Sequence, residues 1–196
     1  MSEPRSLAQE AAEDVFFGQV VIIFARWFVI LGGLILVLWS ATTVQELAST
    51  VPFVVALMAM NFFVHGRYLL ERPANRSLLV ALSFLDLAII TGIISVWKGQ
   101  VGLQSQFFTF YYPVLAAFAF VFPPRLSVAF SAAALGAYTA VVFLADPALA
   151  TRSGDLEVLV LRLITMATMT ALATFYWRVQ RNRRRSTASR ASGAAS

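Results

Sequence analysis

The sequence predicts an all-α membrane protein of six transmembrane helices with both termini on the cytoplasmic side, and three observations carry that prediction. Hydrophobic residues make up 59% of the 196 and charged residues only 13%, against roughly 25% charged in soluble domains. The apolar residues fall into blocks of about 18 to 22, the length that crosses a hydrocarbon core of roughly 30 Å as a helix, and no ten-residue alternation suggests a barrel. Of the 15 Lys and Arg, all but Lys98, Arg152 and Arg162 fall on the side that the two termini share in a six-span chain. By the positive-inside rule that side is cytoplasmic.

Residues 1–19 form a polar lead-in, where Ser6 with Gln9 has capping-box spacing and Glu10, Glu13 and Asp14 interrupt the hydrophobicity, so a short interfacial helix is expected. The six-helix domain is expected over 20–178. Its first span runs from Val20 to Ser40 with Arg26-Trp27 near the cytoplasmic end, and its second from Thr50 to Val64 with Pro52 early and Asn61 deeper. The third, Ser77 to Trp97, carries Asp86 near mid-depth and ends on Trp97-Lys98, an aromatic and a cation at interface level. The fourth, Ser105 to Phe122, contains Pro113, expected to kink it, and stops at Pro123-Pro124-Arg125, where consecutive prolines remove two donors. The fifth, Leu126 to Ala145, has Ala132, Gly136 and Ala140 four apart on one face, a pattern that permits close helix contact. The sixth runs from Leu156 to Trp177 around Arg162. A basic tail, 179–196, follows, too poor in apolar residues to fold alone. Its arginines read as a topology determinant and an anchor to anionic lipid.

Three charged side chains therefore fall inside spans. A carboxylate in hydrocarbon must be neutralised, paired or hydrated. Counting 1.5 Å per residue puts Asp86 about 13 Å and Arg26 about 9 Å from the cytoplasmic starts of their helices, so an intramembrane Arg26–Asp86 charge pair is expected. Arg162, approached from the external side, is the alternative ion partner of Asp86, or else pairs with Asp155 or Glu157. At the external end of the fourth span, Ser105, Thr109 and Tyr112 recur at helical spacing beside Tyr111, a candidate face for a lipophilic ligand.

The exclusions are as informative. Cysteine is absent, which removes disulfides, thiolate nucleophiles and thiolate metal sites, and the single His65 leaves no histidine pair for a haem and no His-rich metal site. No Gly-rich phosphate loop, nucleophile elbow or zinc pattern occurs, so neither a catalytic residue nor a metal site is expected. The net charge of +5 sits beside apolar spans, as topology requires, and does not point to nucleic acid.

The order of features resembles the multi-helix membrane sensor region that opens many bacterial sensor histidine kinases. The matching residues are Arg26-Trp27, Asn61, Leu85-Asp86-Leu87 with Thr91, the Gly99 to Gly102 loop before Ser105-Gln106-Phe107, Tyr111-Tyr112-Pro113 and Pro124-Arg125. The resemblance implies a bacterial inner (plasma) membrane location and a signalling role without catalysis in these residues. No phosphorylated-histidine helix or ATP-binding domain follows Arg185 here, so autophosphorylation is not expected. Quinone, sensed by some redox-responsive members near the loop after the third helix, is the one cofactor it suggests. This sequence has Gln104-Ser105-Gln106-Phe107 where an Asn-Pro-Phe type sequence would strengthen that link. The expectations are thus a sensor-like protein acting on a separate membrane partner or as a homo-oligomer. The alternatives are an accessory subunit of a larger membrane complex, docked through the Ala132–Gly136–Ala140 seam, and thirdly a small transporter.

Overall fold

A computed structural model describes the backbone of residues 7–41, 43–70, 75–97 and 101–193, with most side chains between 18 and 179. Among the described residues every regular element is helical. Five helices are long and apolar enough to cross a membrane, and a shorter apolar stretch, Gln106–Val121, accompanies them.

Helix α1 spans Leu7–Ser40. At 1.5 Å per residue it is about 51 Å long, so the lead-in is continuous with the first span rather than a separate interfacial helix. Helix α2, Val44–Leu69, begins at Thr43, whose hydroxyl accepts from the Glu46 N–H, and it includes Pro52. Both ends reach beyond the 50–64 expected, and the Thr43 cap sets the earlier start. Helix α3 is Arg76–Val96 and closes on the buried Trp97, whose ring meets Phe107 at 5.2 Å.

The fourth span differs most from expectation. Residues Gly102–Gln104 and Gln106–Phe110 form two 3-10 helices, and only Tyr111–Val121 is α-helical, as α4. A 3-10 helix rises about 2.0 Å per residue against 1.5 Å. Five such residues with eleven α-helical ones therefore cover about 26 Å, nearly a hydrocarbon thickness. Pro113 lies in the first turn of α4 and interrupts nothing, since a first-turn N–H has no intrahelical acceptor. Phe122 is extended and Pro124 opens helix α5, Pro124–Ala145. Asp146 then caps the 3-10 turn Pro147–Thr151 and pairs with Arg152, which also meets Asp155 at 3.0 Å.

Helix α6 runs from Ser153 to Gly193. The tail expected to be unstructured is thus helical at the backbone. Extending a formed helix adds one hydrogen bond per residue without a new nucleus, and Arg and Ala are good helix formers. Lys98, Gly99, Arg72 and Arg5 lie outside the described residues, as do the side chains beyond Val179.

The helices close a ring in the order α2, α1, α4, α6, α5, α3, with α4 also touching α3 and α5 from inside it. The face of α4 carrying Tyr111, Leu115 and Phe118 is buried accordingly. Phe118 stacks on Phe130 of α5 at 4.0 Å, and Phe84 of α3 meets the edge of Phe130 at 5.0 Å. The small-residue seam faces outward: Ala132, Gly136 and Ala140 are exposed, and α5 packs through Phe130, Ser131, Ala134 and Tyr138 instead.

Gly102 has φ +61°, and a Cβ there would lie 2.9 Å from Ala145 Cβ on α5. Gly136 has no neighbouring atom within 4 Å of such a Cβ and sits in a helix interior. Gly102→Ala is therefore expected to lower stability in detergent by about 1–3 kcal/mol, through strain and overpacking. Gly136→Ala should instead raise it by up to about 1 kcal/mol. Thermal or denaturant unfolding of the two purified variants checks both signs.

Candidate functional site

Two polar centres lie inside the bundle, each built around an arginine. The first joins α1 to α3. Arg26 and Asp86 are each 3% exposed. Arg26 Nε donates to Asp86 Oδ2 at 2.6 Å and Nη2 donates to Oδ1 at 2.8 Å, the parallel two-bond geometry of a guanidinium on a carboxylate. Nη2 also donates to the Leu82 carbonyl at 3.0 Å, one turn before Asp86 on α3. Arg26 Nη1 is buried and has no hydrogen-bond partner among the described residues. The neighbouring Ser83 hydroxyl turns away to its own helix, donating to the Leu79 carbonyl.

The helices that present this pair follow from the pattern of polar residues around it. On α1, Gln19 Nε2 donates to the Val64 carbonyl of α2 at 3.0 Å, and Asn61 Nδ2 on α2 reaches back toward the Ile23 carbonyl at 3.5 Å. Trp27 and Phe62 meet edge to face at 5.2 Å. These contacts lock α1 against α2 in antiparallel register with Arg26 turned inward. Gln19 was missed by sequence reading; an amide at the start of an apolar run was the only signal. Asn61 is fully buried with its Oδ1 unpartnered among the described residues, and His65 lies half-buried near the end of α2 beside Tyr68.

The second centre joins α5 and α6 to the 3-10 segment before α4. Arg162 does not reach Asp86 and forms no ion pair with Asp155 or Glu157. It donates from Nη1 to the Tyr138 hydroxyl at 2.7 Å, and its guanidinium carbon stands 3.7 Å above the Phe108 ring. A guanidinium on the face of an aromatic ring is held by the ring quadrupole, worth about 2 kcal/mol or more where water is excluded. The half-buried Arg162 is thus held by neutral partners, a phenol and an aromatic face.

The four residues of the candidate ligand face do not form one face. The expectation assumed α-helical spacing through 105–112, and 3-10 geometry, with three residues per turn, rotates each position away from it. Ser105 is fully buried and accepts the Phe107 N–H as a cap, while Thr109 is exposed and donates to the Gln106 carbonyl. Tyr111 points inward, its hydroxyl 2.7 Å from Thr91 Oγ1 and its ring edge to face with Tyr138 at 5.7 Å. The Thr91 proton is committed to the Leu87 carbonyl at 2.6 Å, so Tyr111 is the donor to Thr91. Only Tyr112 keeps a half-exposed position, beside Arg162 and Thr165. The cavity enclosed by Val29, Ile30, Leu57, Ile90 and Phe107 measures about 10 Å³. That is about the room one water needs, far below the roughly 300 Å³ of a small-molecule site.

Among the described residues no group of three or more His, Cys, Asp or Glu side chains is placed to hold a metal. No protein-family model, curated protein or solved structure matches this chain.

Removing one partner of a buried ion pair leaves an uncompensated charge and costs about 3–5 kcal/mol, whereas replacing both by apolar groups of similar volume is close to neutral. Arg26→Met and Asp86→Leu are each expected to destabilise the protein by about that amount. Arg26→Met combined with Asp86→Leu should recover most of the loss. Denaturant unfolding of the four proteins as a double-mutant cycle reads the coupling, and additive losses would show the two residues to be independent.

Proposed function

We propose that this chain is a non-enzymatic, sensor-like integral membrane protein of the bacterial inner membrane, with both termini cytoplasmic, that takes up a lipophilic or membrane-borne signal and acts on a separate partner. The observation that carries the reading is the Arg26–Asp86 pair. It links two helices in the hydrocarbon region by charge-assisted hydrogen bonds, yet leaves Nη1 of the guanidinium without an acceptor among the described residues. An interior ionisable pair of this kind is a functional hypothesis by default. Exchange of Arg26 between Asp86 and a second acceptor would give the bundle two arrangements, which a signal could bias only by binding one of them better. The output path is α6, which continues without a break from Arg162 to Gly193. A tilt of its span would displace its projecting end as a rigid lever.

One observation favours the second reading, an accessory subunit of a larger membrane complex. Ala132, Gly136 and Ala140 lie exposed along α5, and among the described residues no atom lies within 4 Å of a Cβ at Gly136. Small residues on a lipid-facing seam allow a second helix to come close.

The absence of native cysteine permits clean spin labelling. Labels at Leu126→Cys on α5 and Ser186→Cys on the α6 extension report the lever directly. In proteoliposomes of native membrane lipid, two distance populations are expected, with a ratio that changes in a single synthetic lipid. Arg26→Met with Asp86→Leu should collapse them to one without loss of helicity. A single distance in wild type under both conditions would reduce the pair to a structural clamp and favour the accessory subunit.

A further inference from the structure

The Arg26–Asp86 pair belongs to a polar layer that takes in a third helix. Ile30 of α1, Leu57 of α2 and Ile90 of α3 line one small cavity. One helical turn from each of them, toward the end of the bundle where α1 begins, stand Arg26, Asn61 and Asp86. All three are at most 3% exposed, and the buried Ile22, Val64 and Leu82 follow a turn further on. The layer is thus enclosed by apolar side chains on both sides. Two of its atoms are buried without a partner among the described residues, and they are complementary: a donor, Arg26 Nη1, and an acceptor, Asn61 Oδ1.

The guanidinium is a rigid fork. Its Nε edge meets Asp86, so Nη1 lies on the opposite edge, turned from α3. Helix α4 offers it no acceptor side chain. Val121 sits beside Gly18 and Phe110 beside Gly32, so the level of Arg26 falls on the apolar run 114–118. Asn61 is better placed. Its amide meets the Ile23 carbonyl, and helical side chains lean back over the turn before them, which sets Arg26 over that same residue. The other two unpartnered acceptors, His65 Nδ1 and Thr174 Oγ1, lie a turn further along α2 and on α6. At 3.5 Å the Asn61 bond to Ile23 is at the outer limit of hydrogen bonding, whereas a bond from a guanidinium is charge-assisted and about twice as strong as a neutral one.

We propose that Asn61 is the second acceptor of Arg26, and that its amide exchanges between the Ile23 carbonyl and Arg26 Nη1. In the first arrangement Arg26 holds α3 alone. In the second the guanidinium ties α2 and α3 together to α1, and both unpaired buried groups are satisfied at once. Opposing the second are the contacts that seat α2 on α1, Gln19 with the Val64 carbonyl and Trp27 with Phe62. For its use the exchange rests on the proposed signalling role, whereas the bond itself does not.

Moving the carboxylate tests the contact. Asp86→Asn strands Arg26 and should lower the folded-to-unfolded ratio in detergent about a hundred-fold or more. Adding Asn61→Asp gives Arg26 a carboxylate on α2 instead, and should restore about ten-fold or more of that loss. A double variant no more stable than Asp86→Asn would overturn the proposal. A second comparison introduces no charge. Asn61→Leu should lower the ratio about ten-fold in wild type, yet leave it unchanged or raise it in the background of Arg26→Met with Asp86→Leu, where no guanidinium needs an acceptor. An equal effect in the two backgrounds would also overturn it. Spin labels at Val44→Cys on α2 and Val96→Cys on α3, both exposed at the same end of the bundle, read the exchange in proteoliposomes. Two distances are expected in wild type and one in Asn61→Leu, and a single wild-type distance that Asn61→Leu leaves unchanged would exclude the exchange. Coupling of Asn61 to Arg26 without motion between labels on α5 and α6 would remove the signalling role and leave Asn61 as the partner of Arg26.

Discussion

A guanidinium and a carboxylate buried together between α1 and α3 constrain the whole bundle. Neither charge has access to water, so each depends on the other, and the geometry that satisfies them is narrow. Two parallel N–H···O bonds at 2.6 and 2.8 Å fix the rotation of α1 about its axis as well as its height against α3. A slip of one helical turn, about 5.4 Å, would separate the groups entirely. The long side chain of Arg26 matters because α1 packs chiefly along α2 and α4. It crosses to α3 where the backbones do not lie together over their length, so lysine, a point charge without the planar fork, could not reproduce the clamp.

Arg162 solves the same problem by other means at the opposite end of the bundle. With no carboxylate in reach, it is held by a phenol oxygen and the face of Phe108. The two solutions differ in consequence. An ion pair has a defined partner and a large cost of rupture, whereas the ring and hydroxyl offer shallower, more exchangeable contacts. The rings that receive Arg162 are in turn tied inward, from Tyr138 to Tyr111 to Thr91 on α3. Asp86 and Thr91 both stand on α3, so that helix connects the two centres. Helix α4, lodged inside the ring, fills the space between them almost entirely with apolar and aromatic side chains.

The pattern of what could be read in the sequence follows from the same physics. Arg26 with Asp86 was legible because depth alone restricts the partners of a buried charge, and depth is counted from helix ends. The partners of Arg162 were not, since an aromatic face and a phenol announce nothing in a chain where 13% of residues are aromatic. The candidate face at Ser105, Thr109 and Tyr112 failed at the level of local geometry. Its spacing has meaning only in an α-helix, and the chain uses 3-10 turns there to gain length. The Ala132, Gly136 and Ala140 seam was correctly placed on one face, but periodicity cannot say whether that face looks at the protein or at lipid, because both are apolar. The break at Pro123-Pro124 was visible through its missing donors, whereas the cap at Thr43 passed unread and the continuation of α6 was hidden by a composition that is polar yet helix-favouring.

That continuation changes how the last helix should be understood. Up to Trp177 it is a wall of the bundle, positioned by Ser131 and Tyr138 of α5 and by its packing along α4. A helix of 41 residues is about 61 Å long, twice the hydrocarbon thickness, and its two halves answer to different environments. The apolar half is held by Arg162 against Tyr138 and Phe108, and the half beyond Trp177 is rich in arginine. The Arg26–Asp86 clamp is linked to this helix through α4, which packs against both α1 and α6. The aromatic α4 is thus the shared neighbour of the helix that carries Arg26 and of the long last helix.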